Sequence, residues 1–274
     1  MIATTATTDP VPPHLADLGR ELVRTTRRQR LVALARPFLG LAAFVLAVRL
    51  GLWWLTPVIV FVIFVAVVTV THDVVHGVLG LGRRATEVAL LVFGLILLES
   101  GHSYRITHRQ HHRVFPGPDD PEGDPARLTF QSAILNGPLF LPRLWWWSLR
   151  RTRSKRREQL FLVAEAGLAL GVMTGSVLLA RLTLAPLVYV VLVIVGSWTY
   201  PLLTVHLPHR HYGETPLTQT HTLRGRIIPA IFLELTYHLE HHLYPQVPSH
   251  NLAELARRLD PFLQEAGVQP VAVP

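Results

Sequence analysis

Three compact histidine clusters carry the chemistry legible in this sequence. They are His72-Asp73-Val74-Val75-His76 (HDxxH), His108-Arg109-Gln110-His111-His112 (HxxHH) and His238-Leu239-Glu240-His241-His242 (HxxHH). Residues three and four apart are neighbours on an α-helix, so each cluster sets two or three imidazoles on one face within a turn. A lone histidine reads as a satisfied or merely exposed side chain, and His14, His211, His221 and His250 are read that way. Eight of the chain's 15 histidines in three clusters read instead as parts of a metal site. One tetrahedral zinc takes at most four ligands, so eight or nine nitrogens imply two metals. Imidazole suits Zn, Cu, Fe and Ni, and spacing by itself names none of them. The sequence has no cysteine, which excludes disulfides, thiolate-ligated haem, Cys-held iron–sulfur clusters and Cys-based zinc sites.

The elements that must position these histidines are apolar. Of 274 residues half are hydrophobic and only 16% charged, against roughly 25% charged in soluble domains, and the mean hydropathy is +0.33. Four runs, Leu31 to Val48, Leu52 to Val70, Leu160 to Ala180 and Leu184 to Val205, hold 18, 19, 21 and 22 residues. At 1.5 Å rise per residue each can cross a hydrocarbon layer of about 30 Å. They pair into two hairpins around Arg49 and Arg181. The remaining 24 of 26 basic residues lie on or at the edge of the other side, which predicts that side to be cytoplasmic, with both termini and the histidines. Arg36, near the cytoplasmic end of the first run, can snorkel to the headgroups. The Arg-rich residues 1–30 read as a cytosolic lead-in rather than a removable signal peptide.

The resulting expectation is an all-α integral membrane fold. Four transmembrane helices in two hairpins would carry a cytoplasmic helical cap that holds a di-metal site. In chain order the parts are a cytoplasmic segment 1–30, hairpin 31–70, cytoplasmic loop 71–159, hairpin 160–205 and cytoplasmic C-terminal part 206–274, all one membrane-embedded domain. Thr86 to Leu98 spans only about 20 Å as a helix, so it is expected to be interfacial or re-entrant. A fifth crossing there would put the first two clusters on opposite sides. Leu128 to Leu149, ending beside Trp145, Trp146 and Trp147, is expected along the membrane surface. The run Arg150 to Arg157 reads as a cytoplasmic stop that touches anionic lipid, not as a nucleic-acid site. Gly167, Gly171 and Gly175 repeat on one face of the third span and are expected to pack within the bundle in preference to forming a dimer interface. Bis-His haem binding predicts isolated histidines inside the spans, and transport predicts mid-membrane ionisable groups; the four spans hold no histidine and one acidic residue, Glu165, near an end.

HDxxH after a second span, HxxHH in a large loop and HxxHH after a fourth span resemble the three histidine boxes of the membrane fatty-acid desaturase/hydroxylase superfamily. The resemblance covers about His72 to His250. Leu207-Pro208-His209-Arg210 and the acidic stretch Asp119-Asp120-Pro121-Glu122-Gly123-Asp124-Pro125 are similar to the bacterial carotenoid β-ionone-ring hydroxylase and ketolase branch. Tyr237 to Pro248 resembles that branch too, and acyl desaturases share much of it. The resemblance implies two non-haem iron ions, O2 as co-substrate and oxidation of unactivated C–H bonds in a lipid-soluble substrate, a carotenoid ring or alternatively an acyl chain. It carries metal ligation onto His72, His76, His108, His111, His112, His238, His241 and His242, with His209 as the expected ninth ligand and His206 its rival. Asp73, Asp124 and Glu240 are the candidates to accept the outer N–H of ligating imidazoles. Glu99, His102, Tyr104 and Arg105 stand as supporting or structural residues. No fused flavin, haem or ferredoxin domain is apparent, so electrons are expected from a separate carrier, a ferredoxin with its reductase, steered by the basic face. Membrane lipids are expected partners and nucleic acid is not.

Overall fold

A computed structural model describes residues 10–232 and 236–274. The four apolar runs are helices long and apolar enough to cross a membrane, with bounds Arg27–Arg49, Trp53–His76, Arg156–Leu179 and Ala185–His209. In chain order the helices are α1 (Leu15–Leu18), α2 (Arg27–Arg49), α3 (Thr56–His76), α4 (Arg83–Ile96), α5 (Gly101–Val114), α6 (Phe130–Arg151), α7 (Arg156–Leu179), α8 (Ala185–Pro201), α9 (Leu207–His209), α10 (Ile227–Phe232), α11 (His238–Leu243) and α12 (Leu252–Glu265). Thr26 caps α2 in a full capping box with Gln29, which satisfies two of the free amides at that helix start. Each span runs past its apolar run at one end at least, because polar first and last turns still close helical hydrogen bonds.

α3 is the axis of the bundle. Inside its most apolar window 72% of residues are buried, against 17% for α2 and 22% for α7. Ile63, Val67, Val70, Val74 and Val75 are fully covered. The outer helices show apolar side chains outward instead, among them Leu39, Leu46, Val163 and Leu178. That inversion suits a chain whose surroundings are lipid rather than water.

α4 and α5 are bent by 104° across a break of a few residues. The bend brings two backbones into contact: a Cβ on Gly101 would lie 2.2 Å from the Leu90 carbonyl oxygen, and one on Gly94 would lie 2.7 Å from the Glu99 carbonyl oxygen. Leu98 turns the corner with φ +57°. Gly101→Ala is therefore expected to cost about 2 kcal/mol, because backbone rather than a flexible side chain must yield; a chemical-denaturation midpoint equal to wild type would contradict this packing. Since His72 and His76, before α4, share one imidazole group with His108 and His112, after it, α4 is no fifth crossing.

α6 packs along α8, with Gly137 so close to Trp198 that a Cβ would lie 2.0 Å from its carbonyl oxygen. Trp145 faces inward enough for its Nε1–H to donate to the Leu162 carbonyl at 3.1 Å, while Trp146 is exposed. One expectation is corrected. Gly167, Gly171 and Gly175 do not pack within the chain, for a Cβ on any of them meets no atom within 4 Å; the stripe faces outward. The described fold is helical as expected, with one small addition: Leu223–Arg224 and Val271–Ala272 form a two-stranded parallel pair. Below the spans, Leu18 and Leu22 join Leu239, Tyr244, Leu252, Leu255, Leu259 and Leu263 in a second apolar core. This core seats α11 and α12 against the N-terminal segment.

Candidate metal centre

The histidines come from four directions. α3 delivers His72 and His76 from its last two turns, α5 delivers His108, His111 and His112, and α11 delivers His238, His241 and His242. α8 continues through a π-type stretch, Leu202–His206, into α9, which ends on His209. The wider π turn and Pro208 change the register at that point, as π segments near functional sites do. His206 then faces away and its Nδ1–H donates to the Pro125 carbonyl at 2.9 Å. His209 turns inward and is fully buried.

Nine imidazoles form two groups. His72, His76, His108, His112 and His241 make the first; His111, His209, His238 and His242 make the second. Within each group one nitrogen per ring lies within 4.8 Å of all the others. These are the nine expected ligands, His209 included, and His206 belongs to neither group. Many adjacent Nε2 atoms are 2.8 to 3.2 Å apart, as between His238 and His209 (2.8 Å), His72 and His241 (2.9 Å) and His112 and His108 (3.2 Å). With metal–nitrogen bonds of about 2.1 Å, neighbouring ligand atoms at right angles sit about 3.0 Å apart. The spacing is thus that of a coordination shell.

Protons sharpen the fit. His111 Nδ1–H donates to the Asp120 carboxylate at 2.7 Å and His209 Nδ1–H donates to the Gln219 carbonyl at 3.0 Å. A neutral imidazole has one N–H, so both Nε2 lone pairs face each other across 3.2 Å. A cation between them turns repulsion into ligation. His76 Nε2 is buried with no hydrogen-bond partner among the described residues, another atom that a metal would satisfy. Burial, then neighbouring imidazoles, push His238, His241 and His242 well below the usual imidazole range, which keeps them neutral and able to ligate.

That shift sets the sign of a pH effect. A group with a depressed folded pKa contributes stability above its unfolded value of about 6.5, and that stability is lost as pH falls toward the folded value. Metal-stripped protein is therefore expected to melt at a lower temperature at pH 5.5 than at pH 7.5. An unchanged or higher Tm at pH 5.5 would contradict the neutral, buried cluster.

The carboxylates that hold the outer nitrogens differ from those expected. Glu122 accepts from His108 Nδ1 at 3.1 Å and from Thr107 Oγ1 at 2.5 Å, and Asp120 Oδ1 accepts the Glu122 amide at 2.9 Å. The acidic stretch thus supplies Asp120 and Glu122, whereas Asp124 is exposed and pairs with Arg127 at 3.2 Å. Asp73 accepts from the Ser249 amide and hydroxyl at 3.0 and 2.7 Å, tying α3 to the C-terminal part. Glu240 is buried, accepting from Thr222 at 2.8 Å and Arg224 at 2.7 Å. Neither touches an imidazole nitrogen, since their helix positions point them to the opposite face from the boxes.

His102 bridges Glu165 and Glu87 at 2.7 Å on either nitrogen and stacks on Phe161, while Arg105 pairs with Glu87 and Glu158. This network ties α4, α5 and α7 together outside the two imidazole groups. Tyr104 stacks on His108 at 4.8 Å. A cavity of about 20 Å³ lies against His72, His108, His111, His238 and His241, walled by Val68, Tyr104, Tyr200 and Val205. It has room for one water-sized molecule. His14, His211, His221 and His250 stand outside both groups.

The match of the fatty acid desaturase family model to residues 51–272 spans all nine histidines of the two groups. The chain belongs to that family and is a metal-binding membrane oxidoreductase of the desaturase and oxygenase type. Among curated proteins it is 30% identical over 228 residues to a beta-carotene ketolase of Paracoccus sp. (strain N81106 / MBIC 01143), covering 79% of this chain and 78% of the relative. It is 27% identical over 254 residues to a dihydrorhizobitoxine desaturase of Bradyrhizobium elkanii, covering 79% and 71%.

Proposed function

We propose that this chain is an O2-dependent, non-haem di-iron oxidoreductase that hydroxylates or ketolates a carotenoid β-ionone ring. The observation that carries the two-metal reading is the pair of imidazole groups, five and four rings, with opposed lone pairs at His111 and His209. The similarity to a beta-carotene ketolase over 79% of the chain supports the ring substrate. We place the site and both termini on the cytoplasmic side of a bacterial cell membrane, on the asymmetry of basic residues.

Bound iron at the two groups would supply the O2 activation that hydroxylation needs: R–H, O2, two electrons and two protons become R–OH and water. The chain's own residues do the rest. Nine imidazoles would hold the metals, and Asp120 and Glu122 fix the orientation of His111 and His108 by accepting their Nδ1 protons. Val68 and Val205 exclude bulk water from the small cavity, which keeps a reactive oxidant from side reactions. Arg150, Arg151, Arg153, Lys155 and Arg156 lie at the turn between α6 and α7 and would steer an acidic electron carrier, a ferredoxin with its reductase.

The test is expression in bacteria that accumulate β-carotene, with pigments and acyl lipids analysed side by side. Oxygenated ring products are expected. Unchanged pigment with a new acyl double bond would overturn the ring assignment and leave an acyl-lipid desaturase.

A further inference from the structure

A site closed to water must still admit a lipid, and the described residues contain three large clefts that could do so. One, of about 680 Å³, runs between α2, α3 and α10 and carries Arg28, Arg36 and Arg226. A second, of about 520 Å³, lies at the end of α8 against Leu223, Ile228 and Phe232. The third, of about 350 Å³, lies between α6 and α7 and is walled by Leu141, Trp145, Ala166, Leu170 and Met173. Its volume falls within the 300–1,000 Å³ usual for small-molecule sites.

Only the third shares walls with the cavity at the histidines. Tyr104 and Tyr200 line both, whereas neither of the other clefts has a residue in common with that cavity. Tyr104 is stacked on His108, and Tyr200 packs edge-on against Phe64 at 5.7 Å. They form a partition one side chain thick. At the other end Leu170 is exposed on the outward face of a membrane-spanning helix, so the cleft opens onto lipid rather than water.

We propose that the cleft between α6 and α7 is the lateral port for the substrate, and that the Tyr104–Tyr200 pair is the partition its reactive end must displace to reach the metal centre. The occupant is an apolar lipid arriving within the bilayer. The inference rests on the reading of the site as lipid-oxidising. Rotation of the two phenol rings opens the way, a change of side chains with no helix movement. Leu141 and Trp145 on one wall and Ala166 and Met173 on the other set the width of whatever passes.

Ala166→Trp fills the cleft from its half-buried wall, and Ala230→Trp fills the arginine-bearing cleft as the control. Each is compared with wild type in the β-carotene and acyl-lipid assay, with metal content and yield measured alongside. Product from Ala166→Trp is expected to fall at least about tenfold with metal unchanged, and product from Ala230→Trp to stay within about twofold. An undiminished Ala166→Trp, or an equal loss in Ala230→Trp, would overturn the port. A wild type inactive on both substrate classes would sink the lipid-oxidising reading instead, and a second measurement separates the two. Purified chain in vesicles containing a phosphatidylcholine with a tail diazirine is irradiated and digested. Adducts on Leu141, Trp145 or Met173 support the port, and their absence from all three overturns it whatever the turnover.

Discussion

Replacing His238 by alanine is expected to abolish product formation, by at least about a thousandfold, and to strip metal from one position of the site. His238 belongs to the group of four, and its Nε2 lies 2.8 Å from that of His209 and 3.1 Å from that of His242. Its loss leaves three imidazoles. His76→Ala acts in the group of five and leaves four, enough for a tetrahedral shell. Metal retained after dialysis against a chelator should therefore fall further in His238→Ala than in His76→Ala, while both lose activity, since oxidation needs both positions. Full metal in both variants would show that the two groups do not bind as drawn. The difference between the two variants is what separates a two-position site from a loose collection of histidines.

The second large effect is expected at residues that touch no metal. Asp120→Asn and Glu122→Gln keep the shape of each side chain but exchange one carboxyl oxygen for an N–H donor beside His111 and His108. Partners of this kind typically cost 10- to 100-fold in metal affinity or activity when removed. The exposed Asp124→Asn is the matched control from the same stretch and is expected to stay within about twofold, because its partner Arg127 lies at the surface. Equal behaviour of the three variants, measured as metal affinity by chelator competition, would contradict the assignment of Asp120 and Glu122.

What could be read before the structure follows from which interactions are local. Apolar run length fixes a span without reference to any neighbour, and α2, α3, α7 and α8 cover the expected runs. The i, i+3, i+4 spacing likewise places imidazoles on one helix face, so the eight box histidines needed only convergence. His209 and His206 are hard to tell apart because both sit at the end of one span, three residues apart; past the π stretch Leu202–His206, His209 joins an imidazole group and His206 bonds Pro125 instead, and nothing in the local pattern announces that wider turn. The outer acceptors are hard to read for a similar reason. Asp119 to Pro125 was the right stretch, but which of its carboxylates returns to α5 depends on how the chain folds back after Val114, a tertiary fact. The glycine stripe of α7 shows the limit of periodicity: it identifies a shared face and not whether that face is inward. The pair of two-residue strands, 223–224 with 271–272, is too short and too distant in sequence to leave any alternating signal.

The polar network around His102 marks where membrane chemistry and fold stability meet. Glu165 is buried within a span, yet it is hydrogen-bonded to Ser100 and to His102. A buried carboxylate is tolerated when its lone pairs are satisfied, and here they hold the α4–α5 corner against α7. That corner in turn presents the α5 imidazoles to those of α3 and α11. Packing at Gly101, the tie at His102 and the convergence of nine rings are consecutive links in one structural chain.

The central claim is that nine imidazoles hold two metals. Its most direct test is elemental analysis of the purified wild-type protein, grown with iron and quantified per chain, with a Mössbauer spectrum of the same sample. About two irons per chain, with the signature of a coupled non-haem pair, is the expected result. One metal per chain, or a haem absorbance band in its place, would contradict the account.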